Sequence, residues 1–325
     1  MQSPEDTILT RTVLVTATNY SRLCSEGKAL LEANNCRVIE NDFGRPMTFE
    51  ELSKRIGAVD AVVAGVDTWN EAVFSQAPNL KVISRFGVGV DNIDIEAARA
   101  RGIKVTNAAG GNANAVAELT IGLIIAAMRG IPDLHASTRK GGWDRFVGEE
   151  LVGRTVGILG FGNIAQKIAK KLGGFDVTVI AYDKFPNAAA AAALNVELVE
   201  ADQVLTQSDI LCTMLPSLPE TRHYMNADSF GRMRDGAYFI NTARGALVDE
   251  AALKAALDGG KLRGAAIDVY EREPSDPSNP LFHTQGIVTT PHTAAETYET
   301  YRDIGVLTAQ AVIDALDGRT PRNLL

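Results

Sequence analysis

The sequence predicts an α/β protein with two doubly wound, Rossmann-like domains, the first of them discontinuous in the chain. Three observations carry this. The 325 residues correspond to about two domains at roughly 150 residues each. Short β-branched runs alternate with helical patterns from end to end, as in strand–helix–strand units around a parallel sheet. The last helical segment has no strand after it, so it is expected to fold back onto the first domain.

The elements read in order as follows. Thr12–Thr16, Ala61–Ala64 and Lys81–Ser84 are short runs, apolar on both faces, as parallel strands buried on both sides must be. Ser21–Ala33 between them reads as a helix with Leu23, Leu30 and Leu31 on its apolar side. A long helix follows at about Asn114–Arg129. It is apolar nearly all round, from Val116 and Leu119 through Ile124 and Met128, so more than one side must be buried. Strands are then expected at Thr155–Leu159, Val177–Tyr182, Ile210–Leu215, Ala237–Asn241, Gly264–Val269 and Ile287–Thr290. These six make one complete dinucleotide-binding domain. The alanine cluster Ala188–Ala193 reads as a surface helix, since alanine is the best helix former. The final helix, about Thr297–Asp317, is closed by Gly318 and Pro321.

Composition excludes several classes. Hydrophobic residues make up 46% and charged residues 22%, values that rule out disordered and collagen-like chains. Lys and Arg total 32 against 40 Asp and Glu, a net charge of −8, a poor match to nucleic-acid phosphates. Cys24, Cys36 and Cys212 have neither C-x-x-C nor metal-ligand spacing, so neither a disulfide framework nor a metal site is expected. They read as reduced thiols of a cytoplasmic protein. Met1–Arg11 carries Glu5 and Asp6 and no long apolar run, so it does not read as a secretory signal. The apolar stretch Leu119–Met128 is ten residues long, short of the ~20 needed to span a bilayer, and no membrane partner is expected.

The strongest local motif is Gly160-Phe161-Gly162-Asn163-Ile164-Ala165, between the strand ending at Leu159 and a helix with Ile168, Ala169 and Leu172 on one face. This is G-x-G-x-x-A in strand–turn–helix context. The first glycine permits the tight turn, the second lets backbone approach a pyrophosphate, and alanine still allows close helix–strand packing. The helix N-terminus offers free N–H groups and the positive end of its dipole. Asp183 ends the next strand, where a carboxylate can accept both adenosine ribose hydroxyls and repels a 2′-phosphate. This favours NAD over NADP, although Lys184 adjoins it.

Three residues could do chemistry, each just past a predicted strand, at the sheet edge where open α/β folds bind ligands. Arg244 has the planar fork that binds a carboxylate through two parallel hydrogen bonds. His292 is the type of side chain best placed to exchange a proton near neutrality. Glu273 could orient an imidazole and stabilise its protonated form. The other histidines, His135, His223 and His283, lie in polar stretches and read as solvated surface residues.

With these motifs in view, the chain resembles the D-2-hydroxyacid dehydrogenases, most closely the short phosphoglycerate-dehydrogenase-like members. The likeness runs from about Ala61 to Pro321. It includes Arg85-Phe86-Gly87-Val88-Gly89-Val90-Asp91-Asn92-Ile93-Asp94, Asn107 through Glu118, Trp143 through Asp183, and the stretches carrying Arg244, Glu273 and His292. The resemblance implies that Arg244 clamps a 2-oxo acid, that His292 is the acid/base and that Glu273 pairs with it. Val88 and Gly89 would offer N–H groups to the substrate carboxylate, in a loop at the cleft between domains. Gly160, Gly162, Asn163, Ile164, Asp183, Leu215, Thr242 and Ala243 would contact NAD, and Asp268 would hold its carboxamide. Residues 1–107 and 297–325 would form the substrate-binding domain, and 108–296 the NAD-binding domain. The Asn114–Arg129 helix and the Trp143 segment would lie at a homodimer interface.

The chain also departs from its relatives. Ala64-Gly65-Val66-Asp67-Thr68 lacks the basic residue expected to hold a substrate phosphate, and Asp67 would repel one, whereas Arg85 matches a basic position. The chain stops at Leu325, so no C-terminal regulatory domain is expected. Glu273 stands where related formate dehydrogenases carry glutamine. The leading function is thus an NAD-dependent oxidoreductase for a small 2-hydroxy acid. Two alternatives stay open: a phosphite- or phosphonate-type oxidase, and a non-catalytic NAD-sensing scaffold of the corepressor kind, for which the short predicted tails leave little room.

Overall fold

The computed structural model describes residues 11–325; the reading of the N-terminal segment as no secretory signal falls mainly outside that range. The chain divides into two compact units, one comprising the residues up to Asn112 with Glu296–Leu325, the other Ala113–Ala295. Residues 108–112 stay with the first unit, where the Ala108 N–H donates to the Gly87 carbonyl at 2.8 Å.

The first unit holds a five-stranded parallel sheet of β1 (Arg11–Val15), β2 (Cys36–Glu40), β3 (Ala61–Ala64), β4 (Val82–Arg85) and β5 (Lys104–Thr106), ordered β2-β1-β3-β4-β5. The strands read from sequence are the central three. The missed β2 and β5 are edge strands, which need no continuous apolar run. The segment expected as one helix over Ser21–Ala33 is two, Tyr20–Leu23 and Ser25–Ala33. They break at Cys24, whose buried thiol contacts the Tyr301 carbonyl at 2.9 Å. Tyr301 lies on the long helix Tyr298–Leu316, started by the Thr297 side chain, which accepts from the Thr300 N–H. That helix packs on β3, β4 and Ser25–Ala33 within this unit.

Asp67 requires a correction. Read from sequence as a charge that would repel a phosphate, it is 2% exposed. Burial raises its pKa, and Oδ1 accepts the Met47 N–H at 2.5 Å. It is part of the interior of its unit.

The second unit holds seven parallel strands: β6 (Thr155–Leu159), β7 (Thr178–Tyr182), β8 (Val196–Leu198), β9 (Ile210–Thr213), β10 (Ala237–Asn241), β11 (Leu262–Ile267) and β12 (Ile287–Thr289). Their order is β12-β11-β10-β9-β6-β7-β8. The six-strand expectation missed β8, a three-residue edge strand. Strand residues alternate between two cores. Val156, Ile158, Ile210, Cys212 and Ile240 join Ile168, Leu172 and Ile124 on one face. Leu211, Phe239, Ala265 and Ile267 join Phe230 and Leu253 on the other. This period of two with both faces covered is why the strands read as continuous apolar runs. The chain reverses direction of travel across the sheet between β6 and β9, the switch point where such sheets open a crevice. Ala188–Ala193 is a helix whose N-cap Asn187 accepts from the Ala190 N–H. Among the described residues no single helix is long and apolar enough to cross a membrane.

Candidate active site

The glycine turn sits at this switch point. Gly160 has φ +93°, and a Cβ there would lie 2.6 Å from the Met214 carbonyl oxygen at the exit of β9. Conformation and close approach both demand glycine. Around Gly162 the same construction meets only open space, so a ligand can come up against backbone. Gly162 precedes the ten-residue helix Asn163–Leu172 and supplies no side-chain cap. The first helical N–H groups, including those of Asn163 and Ile164, are thereby left to an anion. Ala165 is fully buried, as close helix–strand packing requires.

Asp183 follows β7. Its Oδ2 accepts the Phe161 N–H at 2.6 Å and its Oδ1 accepts the Phe185 N–H at 2.8 Å. Each oxygen keeps a further lone pair, so a ribose diol can still be bound. Lys184 turns its ammonium over the Phe185 ring, 5.8 Å from the centroid. An open, uncapped glycine cradle beside such a carboxylate fits a dinucleotide.

The chemistry-bearing residues follow β9 to β12 along the same edge. Leu215 follows β9, while Thr242, Ala243 and Arg244 follow β10. The buried hydroxyl of Thr242 meets that of Thr120 at 2.8 Å; Thr120 lies on the helix Ala113–Arg129, and its only signal in sequence is a hydroxyl in an apolar helix. Arg244 is half-buried and donates from Nη1 to the Ala243 carbonyl at 2.7 Å.

Asp268 follows β11 and is completely buried. Its carboxylate accepts from Thr290 Oγ1 at 2.6 Å and from the N–H groups of Thr293 and Ala294 at 2.9 Å, and its carbonyl accepts the His292 N–H at 2.7 Å. Asp268 therefore shapes the turn that carries His292, a function the sequence did not reveal. His292 occupies the left-handed region, φ 50°. Its Nδ1 lies 2.6 Å from Glu273 Oε2, with Glu273 Oε1 accepting the Tyr270 N–H at 3.0 Å. Burial opposes ionisation of Glu273, yet the hydrogen bonds from His292 and Tyr270 and the charges of His292 and Arg244 hold its pKa below the ordinary carboxylate value. The structure thus brings His292 and Glu273 into contact, with the Arg244 charge acting on the same carboxylate.

Val88 and Gly89 belong to the other unit, in the loop after β4. There the Val88 carbonyl accepts from Asn107 Nδ2 at 2.9 Å. His135 and His283 are exposed, but His223 is not the solvated residue expected: its Nε2 lies 2.6 Å from Glu271 Oε1. Among the described residues no group of three His, Cys, Asp or Glu side chains is placed to hold a metal. Burial pushes the thiols of Cys24 and Cys212 up to about 12, which leaves them inert.

A parallel sheet whose switch point carries a dinucleotide cradle, followed along one edge by an arginine and a histidine–glutamate pair, defines a nicotinamide-type oxidoreductase fold. Residues 121–294 match the family model of the D-isomer specific 2-hydroxyacid dehydrogenase, NAD binding domain, and the chain belongs to that family. NAD is accordingly the cofactor of the second unit. The chain is 42% identical over 280 residues to a D-3-phosphoglycerate dehydrogenase of Archaeoglobus fulgidus, covering 85% of this chain and 53% of that protein. It is 40% identical to a glyoxylate reductase of Thermofilum pendens, covering 89% and 87%. A solved structure from Thermus thermophilus superposes with a TM-score of 0.88 at 33% identity, covering 97% and 99%. The chain spans about half the length of the phosphoglycerate dehydrogenases it matches.

Proposed function

We propose that the protein is an NAD-dependent oxidoreductase that interconverts a small D-2-hydroxy acid and its 2-oxo acid. The observation that carries this is the His292–Glu273 contact at 2.6 Å, on the sheet edge that also bears Arg244. NAD supplies or accepts the hydride when bound. In the reduction direction Arg244 binds the carboxylate and steadies the carbonyl oxygen as it gains charge. His292 gives that oxygen a proton from Nε2 while Nδ1 stays on Glu273. Glu273 fixes the ring and stabilises its positive charge before the proton leaves.

The first unit would act as the substrate-binding domain, with Val88 and Gly89 as its candidate substrate residues; the second is the NAD-binding domain. Asp268 holds the His292 turn through Thr290, Thr293 and Ala294, and since Oδ2 accepts a single N–H it keeps a lone pair with which it would hold the nicotinamide carboxamide. The exposed Trp143 and Val147, 87% and 86% accessible, support a homodimer formed through this segment and the helix Ala113–Arg129.

No basic residue stands at 64–68, while Arg85 stands at a basic position of the phosphoglycerate dehydrogenases. The first favours an unphosphorylated substrate of the kind named for the glyoxylate and hydroxypyruvate reductases among the relatives. The test is NADH oxidation with glyoxylate, hydroxypyruvate, pyruvate, phenylpyruvate and phosphohydroxypyruvate. Glyoxylate or hydroxypyruvate is expected to give the highest kcat/KM. Turnover of none of the five would refute the dehydrogenase, and a clear preference for phosphohydroxypyruvate would refute the unphosphorylated substrate.

A further inference from the structure

Six described non-glycine residues have positive φ: Asn19, Asn35, Asp176, Asn195, His223 and His292. Asn and Asp enter this region readily because their short polar side chains bond locally. The remaining two are histidines, and both meet a glutamate of the same loop. His292 Nδ1 is 2.6 Å from Glu273, and His223 Nε2 is 2.6 Å from Glu271. The first pair belongs to the proposed reaction. The second has no part in it.

The second pair joins three segments. The His223 N–H donates to the Ala246 carbonyl at 2.8 Å, two residues beyond Arg244. The Glu271 N–H donates to Glu250 Oε1 at 2.8 Å. Between them, Gly245 lies so close under the Tyr270–Glu271 peptide that a Cβ would fall 1.9 Å from the Tyr270 carbonyl carbon. The loop that presents Glu273 is therefore seated on the segment that carries Arg244, and the His223–Glu271 contact closes it from the side. His223 Nε2 is shut away from solvent and its contact with Glu271 lacks hydrogen-bond geometry.

We propose that His223 and Glu271 are positioning residues that hold the 270–273 loop so that Glu273 meets His292 Nδ1. The proposal rests on reading Glu273 and His292 as the acid–base pair. Neither His223 nor Glu271 needs to touch substrate or cofactor. Their effect passes through the loop, from a second histidine–glutamate contact to the first.

The test reads the His292 ring directly. The protein has four histidines, so ring nitrogen NMR shifts, detected through carbon-bound protons in histidine-labelled full-length protein, can be assigned by substitution. A ring anchored on Glu273 keeps its proton on Nδ1, and Glu273→Gln supplies the reference for the released state. Glu271→Gln and His223→Gln are each expected to move the His292 Nδ1 shift toward that reference, with melting temperatures within a few degrees. In turnover they should lower kcat roughly ten- to a hundredfold, the scale of a small misplacement, with KM for NADH unchanged. The partners lie in different segments, so either variant alone suffices. A His292 shift that stays at its unmutated value in both would overturn the proposal. A moved shift in a protein that reduces no 2-oxo acid would instead sink the dehydrogenase reading and leave the positioning intact.

Discussion

The backbone N–H of Phe161 donates to Oδ2 of Asp183 across 2.6 Å, so the glycine turn and the carboxylate at the end of β7 are one mechanical unit. The residue expected to read the ribose also holds the loop expected to bind the pyrophosphate. Asp183→Ala should therefore weaken NAD on two counts and remove the repulsion of a 2′-phosphate. A charged hydrogen bond contributes about 1.5–3 kcal/mol, so Kd for NADH should rise roughly ten- to a hundredfold while NADPH gains in relative terms. Titration of both cofactors by fluorescence checks this; equal kcat/KM for the two in the unmutated enzyme would contradict it.

The two glycines of the turn should respond differently. Gly160→Ala puts a side chain at φ +93° and 2.6 Å from the Met214 carbonyl. It should destabilise the fold by about 1–3 kcal/mol, seen as a lower melting temperature. Gly162 has φ −76° and open space at its Cβ position. Gly162→Ala should leave the melting temperature in place and reduce NADH affinity. Equal losses of stability in both variants would contradict the distinction.

Glu273 is held ionised below the ordinary carboxylate range. Its lowered pKa means that its pairing stabilises the protein above the ordinary value and is lost only as pH falls through the lower one. The pair should survive mild acid. A carboxylate stabilises a neighbouring cation, so Glu273→Gln should move the alkaline limb of the reduction profile to lower pH. His292→Ala should cost at least the ~10²-fold typical of losing a general acid. A Glu273→Gln profile with both limbs unmoved would return Glu273 to an ordinary loop residue.

Arg244→Ala should lower kcat as well as raise KM, by roughly 10²–10³-fold in kcat/KM, because a cation at a developing oxyanion acts chiefly in the transition state. Arg244→Lys should recover only part, since an ammonium lacks the two-pronged fork. A change in KM alone, with kcat intact, would confine Arg244 to ground-state binding.

Light scattering across micromolar concentrations should give the mass of two chains. Trp143→Glu with Val147→Glu should shift the population toward one, because charge would replace the exposed apolar surface of that segment. A single-chain mass for the unmutated protein would contradict the homodimer.

The legible parts of the fold were the buried central strands and the helices with one apolar stripe. Strands β2, β5 and β8 lie at sheet edges, where polar residues such as Arg37, Lys104 and Glu197 interrupt the apolar run; the edge strand β12, with the run Ile287-Val288-Thr289, was legible. The break at Cys24 escaped because its cause is a contact with Tyr301, far away in sequence. In the site, Arg244, Glu273 and His292 could be picked out by residue type just past a strand. The family resemblance points Asp268 toward the cofactor, while its buried network with Thr290, Thr293 and Ala294 has no signal in sequence. His223 reads as a surface residue in sequence because nothing near it announces Glu271.

By itself the sequence determined what is local: the period-two and helical patterns, the glycine turn between strand and helix, and the carboxylate at the end of the next strand. These depend on backbone sterics and on neighbours within a few residues. Tertiary structure alone decided that Asp67 is interior, that Asp268 accepts three hydrogen bonds from the His292 turn, and that two histidines face two glutamates of one loop. Burial and charge pairing depend on which distant segments the parallel sheet sets side by side, and no spacing along the chain encodes those distances.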